Sequence, residues 1–191
     1  MVNKFFFIFI IVLVLFLIFT FNVIESFNNQ NDITTIITTC CRKSTPDTSI
    51  IIENINNLLE YCPILTKNII IIFDGSEIKN NKLHIKCKGE CSDTNYKKYI
   101  KNVKKQVNKI LPKSNTKFII MNERGCLTNA LKTGIQNSNT EFINIMSEDL
   151  ILEKSFMWII FINAIKNNDN IDLVRYKQLS NIYIYIIRIG I

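Results

Sequence analysis

The sequence predicts an α/β domain on a mainly parallel sheet, with helices on both faces, preceded by one N-terminal transmembrane helix. Three observations carry this. Apolar, β-branched runs alternate with segments whose apolar residues recur at helical spacing, the pattern of βαβ units. One such run, Phe142-Ile143-Asn144-Ile145-Met146, stops abruptly at Ser147-Glu148-Asp149. At the other end of the chain, Phe5 to Phe19 contains no polar residue.

That apolar run is interrupted at Thr20 and Asn22 and continues to Ile24. About 20 residues at about 1.5 Å each span about 30 Å, one bilayer core. A cleaved signal peptide has a core of roughly 7–15 residues and a small-residue cleavage site, and Phe21-Asn22-Val23-Ile24-Glu25 offers none. Residues 1–25 therefore read as an uncleaved signal anchor, 26–32 as a linker and 33–191 as one domain. Lys4 on one side, with Glu25 and Asp32 on the other, favours a single-pass type II orientation. The membrane would be that of the ER or Golgi in a eukaryotic cell, or a host membrane for a virus.

The elements follow in order. Ile33 to Thr39 is a strand by its β-branched content. Thr45 can cap a helix with Pro46 at its first position and Asp47 in its first turn, and Ile51, Ile55, Leu58 and Leu59 continue it. Asn68 to Phe73 is a buried strand closed by the turn signal Asp74-Gly75-Ser76. Leu83 to Lys86 reads as a short strand. A second helix places Tyr96, Ile100, Val103, Val107 and Ile110 on one face, with Lys97, Lys98, Lys101, Lys104 and Lys105 on a solvated one. Lys117 to Met121 is a third strand. The third helix shows Leu127, Ala130, Leu131, Gly134 and Ile135 at i, i+3, i+4, i+7, i+8. The strand ending at Met146, a helix over about 153–166, and strands over 171–176 and 182–189 complete the chain. In a parallel sheet the strand ends at Thr39, Asp74, Asn122 and Ser147 converge on one edge, where open α/β sheets bind ligands.

Composition narrows the chemistry. A net charge of +7 suits anionic phosphates or a membrane surface, but the lysines are scattered and specify neither. The six cysteines permit disulfides in a translocated domain, and Cys87 and Cys91 would close a small loop. Their spacing is not that of a zinc site, and His84 is the only histidine, which also argues against a Cys-His nucleophile. The 25 asparagines include no Asn-x-Ser/Thr sequon. No Gly-x-Gly-x-x-Gly follows the first strand and no Walker A loop or Gly-x-Ser-x-Gly elbow occurs. These absences argue against dinucleotide oxidoreductases, P-loop NTPases and α/β-hydrolases. What remains at the edge is Asp74, Arg124-Gly125 and Glu148-Asp149. An aspartate can accept a hydrogen bond from a base or ribose, an arginine can pair with a diphosphate, and carboxylates can hold a divalent cation.

In this order the set resembles the GT-A glycosyltransferases, particularly the family 2-like group. The first strand runs into Thr38-Thr39-Cys40-Cys41-Arg42-Lys43. The second ends in Asp74-Gly75-Ser76, and Asn122-Glu123-Arg124-Gly125 precedes Ala130-Leu131-Lys132-Thr133-Gly134-Ile135. Thr140-Glu141-Phe142-Ile143 then leads to the acidic motif, so the resemblance covers about residues 33–155. It implies a Rossmann-like GT-A nucleotide-diphospho-sugar transferase sheet and a glycosyltransferase, which the apolar N-terminal segment would anchor in a membrane. The donor would be a nucleotide-diphosphate sugar, the acceptor a glycan, protein or lipid, the cofactor Mn²⁺ or Mg²⁺, and no nucleic acid would be bound. By position it implies Thr39, Arg42, Asp74, Gly75 and Arg124 at the nucleotide sugar, and Glu148 and Asp149 at the metal. The family's Asp-x-Asp would align with Met146-Ser147-Glu148, so the first aspartate is missing and the second is Glu. Only 42 residues follow Asp149, and Asp169 and Asp172 there read as structural or solvated, so no catalytic base is assigned. Two alternatives stay open: an inactive or truncated GT-A-like binding domain, and a metal-dependent nucleotidyltransferase. The latter needs a Gly-rich basic loop after the first strand, where Arg42-Lys43 brings charge without Gly.

Overall fold

The computed structural model describes residues 10–14, 33–40, 45–75, 93–147, 164–165, 167–170, 173–179 and 182–189. The chain divides into the units Met1–Gln30 and Asn31–Ile191. In the first, residues 10–14 are helical with exposed side chains. The rest of the apolar 1–25 segment lies outside the described residues, and among those described no helix is long and apolar enough to cross a membrane.

The second unit is built on a six-stranded sheet. Its strands are β1 Ile33–Thr39, β2 Asn68–Phe73, β3 Asn115–Ile120, β4 Phe142–Ser147, β5 Leu173–Leu179 and β6 Ile182–Arg188, in the order β3-β2-β1-β4-β6-β5. β1 to β4 are mutually parallel, and β6 pairs antiparallel with both β4 and β5. Three helices connect the parallel strands: α1 Ser49–Tyr61, α2 Asp93–Ile110 and α3 Cys126–Gln136. The expected mainly parallel sheet is present, and the antiparallel β5–β6 pair extends it.

Continuous apolar runs make these strands because both sheet faces are covered. The cross-strand register puts Thr35, Ile37, Ile69, Ile71, Asn144 and Met146 on one face, and Ile36, Ile70, Ile72, Ile143 and Ile145 on the other. The first face lies under α1 and α2. Phe73 meets Tyr99 edge-on at 6.2 Å and Phe118 at 6.5 Å, and Thr35 donates to the Leu65 carbonyl at 2.6 Å. The second face packs against α3 through Ala130, Leu131 and Ile135. Gly134 allows that approach, since a Cβ there would come within 2.7 Å of Ile36 Cγ2 and 2.8 Å of Ile72 Cδ1. Helices therefore cover both faces, as the sequence predicts.

Two local expectations are corrected. The first helix begins at Ser49, not at Pro46. Thr45-Pro46 is a cis peptide, Thr48 is the N-cap without a side-chain cap bond, and Asp47 just before it accepts from the Ser49 amide at 2.9 Å and the Ser49 hydroxyl at 2.8 Å. These bonds, the amide's first, hold the Asp47 carboxyl below its ordinary pKa. Leu127, expected on the packed face of α3, is 58% exposed, because it precedes the turn at which α3 meets the sheet. The helix expected over 153–166 and the strand at 83–86 lie outside the described residues except for the helical pair 164–165. Asp169 is fully exposed and pairs with Arg188 at 3.3 Å, in keeping with a structural or solvated residue.

Candidate active site

Because β1 to β4 are parallel and nearly in register, their carboxyl ends form one edge. Thr39 pairs with Phe73, Phe73 with Ile120, and Thr38 with Ser147. The ladder extends one step further: the Asp74 amide donates to the Thr39 carbonyl and the Met121 amide to the Phe73 carbonyl, both at 2.9 Å. Four sequence-distant segments thus end side by side, and the loop carrying Asn122 to Gly125 starts there.

At the centre of the edge is Asp74, only 5% exposed. One carboxylate oxygen accepts from the Gly75 amide at 3.0 Å and the Gly125 amide at 2.7 Å. The other lies 4.0 Å from Nε of Arg124, an ion pair longer than a hydrogen bond. A buried carboxylate needs such compensation, and charge-assisted bonds supply about 1.5–3 kcal/mol each. Asp74 therefore ties the end of β2 to the β3–α3 loop. Gly75 completes the junction: a Cβ there would run into the Glu123 carbonyl carbon and oxygen and lie 2.7 Å from the Arg124 nitrogen.

Thr39 stands at the same edge but faces inward, 3% exposed, and its hydroxyl lies 2.7 Å from the Tyr99 hydroxyl. Tyr99 stacks on Tyr96 with ring centroids 6.1 Å apart, and the Tyr96 hydroxyl donates to the Asp74 carbonyl at 2.6 Å. These two tyrosines are the supports that the sequence reading did not assign to the site, although their i, i+3 spacing on the buried face of α2 was visible. A third is Asn54 on α1, 0% exposed, whose amide donates to the Ser147 carbonyl at 3.0 Å and so fixes the last residue of β4.

The structure thus brings Thr39, Asp74, Gly75 and Arg124 together on one edge. Arg42, Glu148 and Asp149 lie outside the described residues; what is fixed is that the chain leaves the sheet toward Glu148-Asp149 from Ser147, beside β1. Met146, where the resemblance expects an aspartate, is 1% exposed in the core. Over the loop, residues Met121 to Gly125 with Asn129, Lys132 and Thr133 line an open cleft of about 450 Å³. A larger cavity of about 610 Å³ lies at the opposite edge, among Leu59, Lys67, Leu111 and Asn115. We place the candidate site at the first edge, because parallel sheets offer ligands the carboxyl ends of their strands.

No protein-family model matches the sequence, and no curated protein matches it. Solved structures do match the fold, among them two glycosyltransferase-type proteins and a cytidylyltransferase. A mannosyltransferase from Pyrobaculum calidifontis, in complex with GDP-Man and Mn²⁺, superposes on 78% of this chain with a TM-score of 0.53 and 15% identity. TarS from S. aureus, residues 1–349, gives 0.52 over 78% at 15% identity. A cytidylyltransferase from Leptospira borgpetersenii gives 0.50 over 82% at 11% identity, with 60% of its own length covered. The chain spans 36% of the mannosyltransferase and 36% of the TarS structure. At such identities the likeness is one of fold.

Proposed function

We propose that the chain is a glycosyltransferase that takes a sugar from a nucleotide-diphosphate donor at the carboxyl edge of its parallel strands, assisted by Mn²⁺ or Mg²⁺. The observation that carries this reading is the junction at Asp74. One buried carboxylate holds Gly75, Gly125 and Arg124 together directly beside Thr39, on the edge from which β4 leads into Glu148-Asp149. The solved mannosyltransferase of the same fold, bound to GDP-Man and Mn²⁺, supports it.

The donor set fits a divalent metal in one way. Among the described residues no three His, Cys, Asp or Glu side chains gather into a metal-binding group. Asp74 is committed to two amides and an arginine, and Met146 is buried. In this reading the ligands are Glu148, Asp149 and the donor's own diphosphate, all hard oxygens that suit Mg²⁺ or Mn²⁺. Such a cation would supply charge neutralisation on the departing diphosphate. The chain's own contribution is positional. Asp74 and Gly75 fix the β2 loop against the β3–α3 loop, Arg124 holds positive charge at that junction, and Asn54 anchors the strand end before the acidic pair.

A metal-dependent nucleotidyltransferase is the second reading, favoured by the cytidylyltransferase superposition at a TM-score of 0.50. A binding domain without activity is the third, since Met146 lies buried where the resemblance expects a metal-binding aspartate. The acceptor is a glycan, protein or lipid, and residues 1–25 anchor the domain in a membrane in type II orientation. Titration calorimetry of UDP and GDP into the full chain, with and without Mn²⁺, separates these for the wild type and Asp149→Ala. Metal-dependent binding that disappears in the variant is expected. Absence of nucleotide binding under every condition would overturn the transferase reading.

A further inference from the structure

Helix α2 carries more positive charge than an ordinary solvated face. It holds six lysines, at 97, 98, 101, 104, 105 and 109, and Asp93 is its only acidic residue. In sequence Asp93 lies four residues before Lys97. Lys101 has lysines three and four residues away on both sides. Like charges at these spacings repel on a helix surface. The ammonium of Lys104 sits over the Phe118 ring, 5.6 Å from its centroid, which draws the charge toward the sheet edge.

Beside these lysines lies a groove of about 400 Å³ between α2 and the carboxyl end of the edge strand β3. Its walls are Lys97, Lys101 and Lys104, and its floor is Tyr96, Ile100, Ile120 and Met121. Ile120 is 50% exposed, an aliphatic side chain kept in water at the outermost strand. A merely solvated lysine face needs no apolar floor, and a free-phosphate site would not use one. Tyr96 is only 2% exposed, stacked on Tyr99, so the floor offers no open aromatic ring of the kind on which nucleic-acid bases stack. The remaining ligand chemistry is an anion joined to an aliphatic body, small enough for a groove of this size.

We propose that this groove binds the headgroup of an anionic phospholipid, so that the α2–β3 face of the domain docks on a negatively charged bilayer. The lysines meet the phosphate, and Ile120 and Met121 receive the glycerol and first methylenes. The proposal rests on the lysine groove and not on the apolar segment 5–19, and it stands or falls separately from nucleotide binding.

The test uses the full chain in maltoside micelles and calorimetry with dihexanoyl phosphatidylglycerol, dihexanoyl phosphatidylcholine, inorganic phosphate and an acidic glutamate peptide. Saturable binding of phosphatidylglycerol alone is expected, weakened at least tenfold by Lys101→Gln with Lys104→Gln. The same charge change at Lys109→Gln with Lys113→Gln, away from the groove, should alter it less than twofold. Ile120→Ser should weaken phosphatidylglycerol about threefold. If losing Lys104 from Phe118 unfolds the double variant, Lys101→Gln alone must still weaken binding severalfold, because Lys101 is exposed. Equal affinity for phosphatidylcholine, inorganic phosphate or the peptide would overturn the proposal, as would equal effects of the two double variants.

Discussion

Gly75→Ala probes the junction on which the candidate site depends. The added methyl group would meet backbone, namely the Glu123 carbonyl and, at 2.7 Å, the Arg124 nitrogen. Ordinary carbon contacts lie near about 3.5–4.0 Å, so the β2 and β3–α3 loops must separate by about 1 Å or more. No rotamer change relieves a clash with main chain. The separation lengthens the 2.7 Å bond from the Gly125 amide to Asp74 and opens the Arg124 pair. Overpacking costs about 1–3 kcal/mol and loss of one charge-assisted bond about 1.5–3 kcal/mol. The two overlap, because the same movement causes both, so a loss of about 3 kcal/mol is expected. For a domain of this size that is a fall of roughly 6–12 °C in Tm. Urea denaturation and thermal melting of the purified variant measure it. A variant within about 0.5 kcal/mol of wild type, the level of a neutral surface change, would refute the close approach of the two loops.

Three further outcomes follow from the same geometry. Arg124→Lys replaces a planar guanidinium with a compact ammonium facing a buried carboxylate, and should destabilise by about 1–2 kcal/mol in urea melts. Tyr99→Phe deletes the hydroxyl 2.7 Å from Thr39 and should cost about 1 kcal/mol while leaving the secondary structure by circular dichroism unchanged. Burial pushes the Cys62 thiol from its ordinary 9.0 up to about 12. A group that holds its proton longer in the folded chain stabilises fully below pH 9, and that contribution is lost progressively as pH rises from about 9 toward 12. Wild-type Tm should therefore fall across that window more steeply than that of Cys62→Val, and Cys62 should resist iodoacetamide at pH 8 in the folded state.

Much of the fold was legible because the signals were local and repeated. Runs such as Ile69 to Phe73 and Phe142 to Met146 are apolar at every face-alternating position bar Asn144, and only strands covered on both faces use such runs. The converging edge followed from parallel topology alone. Local errors came where one side chain overruled a pattern. Asp47 accepts from the Ser49 amide ahead of α1, which starts later than Pro46 suggested. Tyr99 stands at i+3 from Tyr96 on the buried face of its helix, yet nothing in that spacing marks it as the support of Thr39. The site was legible as a set of residues but not as a set of contacts. Asp74 and Arg124 were read as separate ligand-binding groups, and their mutual pairing depends on two loops about 50 residues apart in sequence meeting in space. Gly75 read as a turn signal, whereas its stricter role is to let the Glu123–Arg124 backbone approach. Met146 could be read as a departure from an acidic motif, and its burial in the core keeps that position from the edge where a ligand would bind.

The most direct measurement of the central claim is product analysis with the full chain. Labelled nucleotide-diphosphate sugars, UDP- and GDP-linked, are incubated with Mn²⁺ and candidate acceptors, nucleoside triphosphates with sugar phosphates are incubated in parallel, and the released product is identified for wild type and Asp149→Ala. The account predicts a nucleoside diphosphate, formed by the wild type and lost in the variant and on chelation of the metal. Release of pyrophosphate from a nucleoside triphosphate and a sugar phosphate, with no nucleoside diphosphate from any donor, would contradict it.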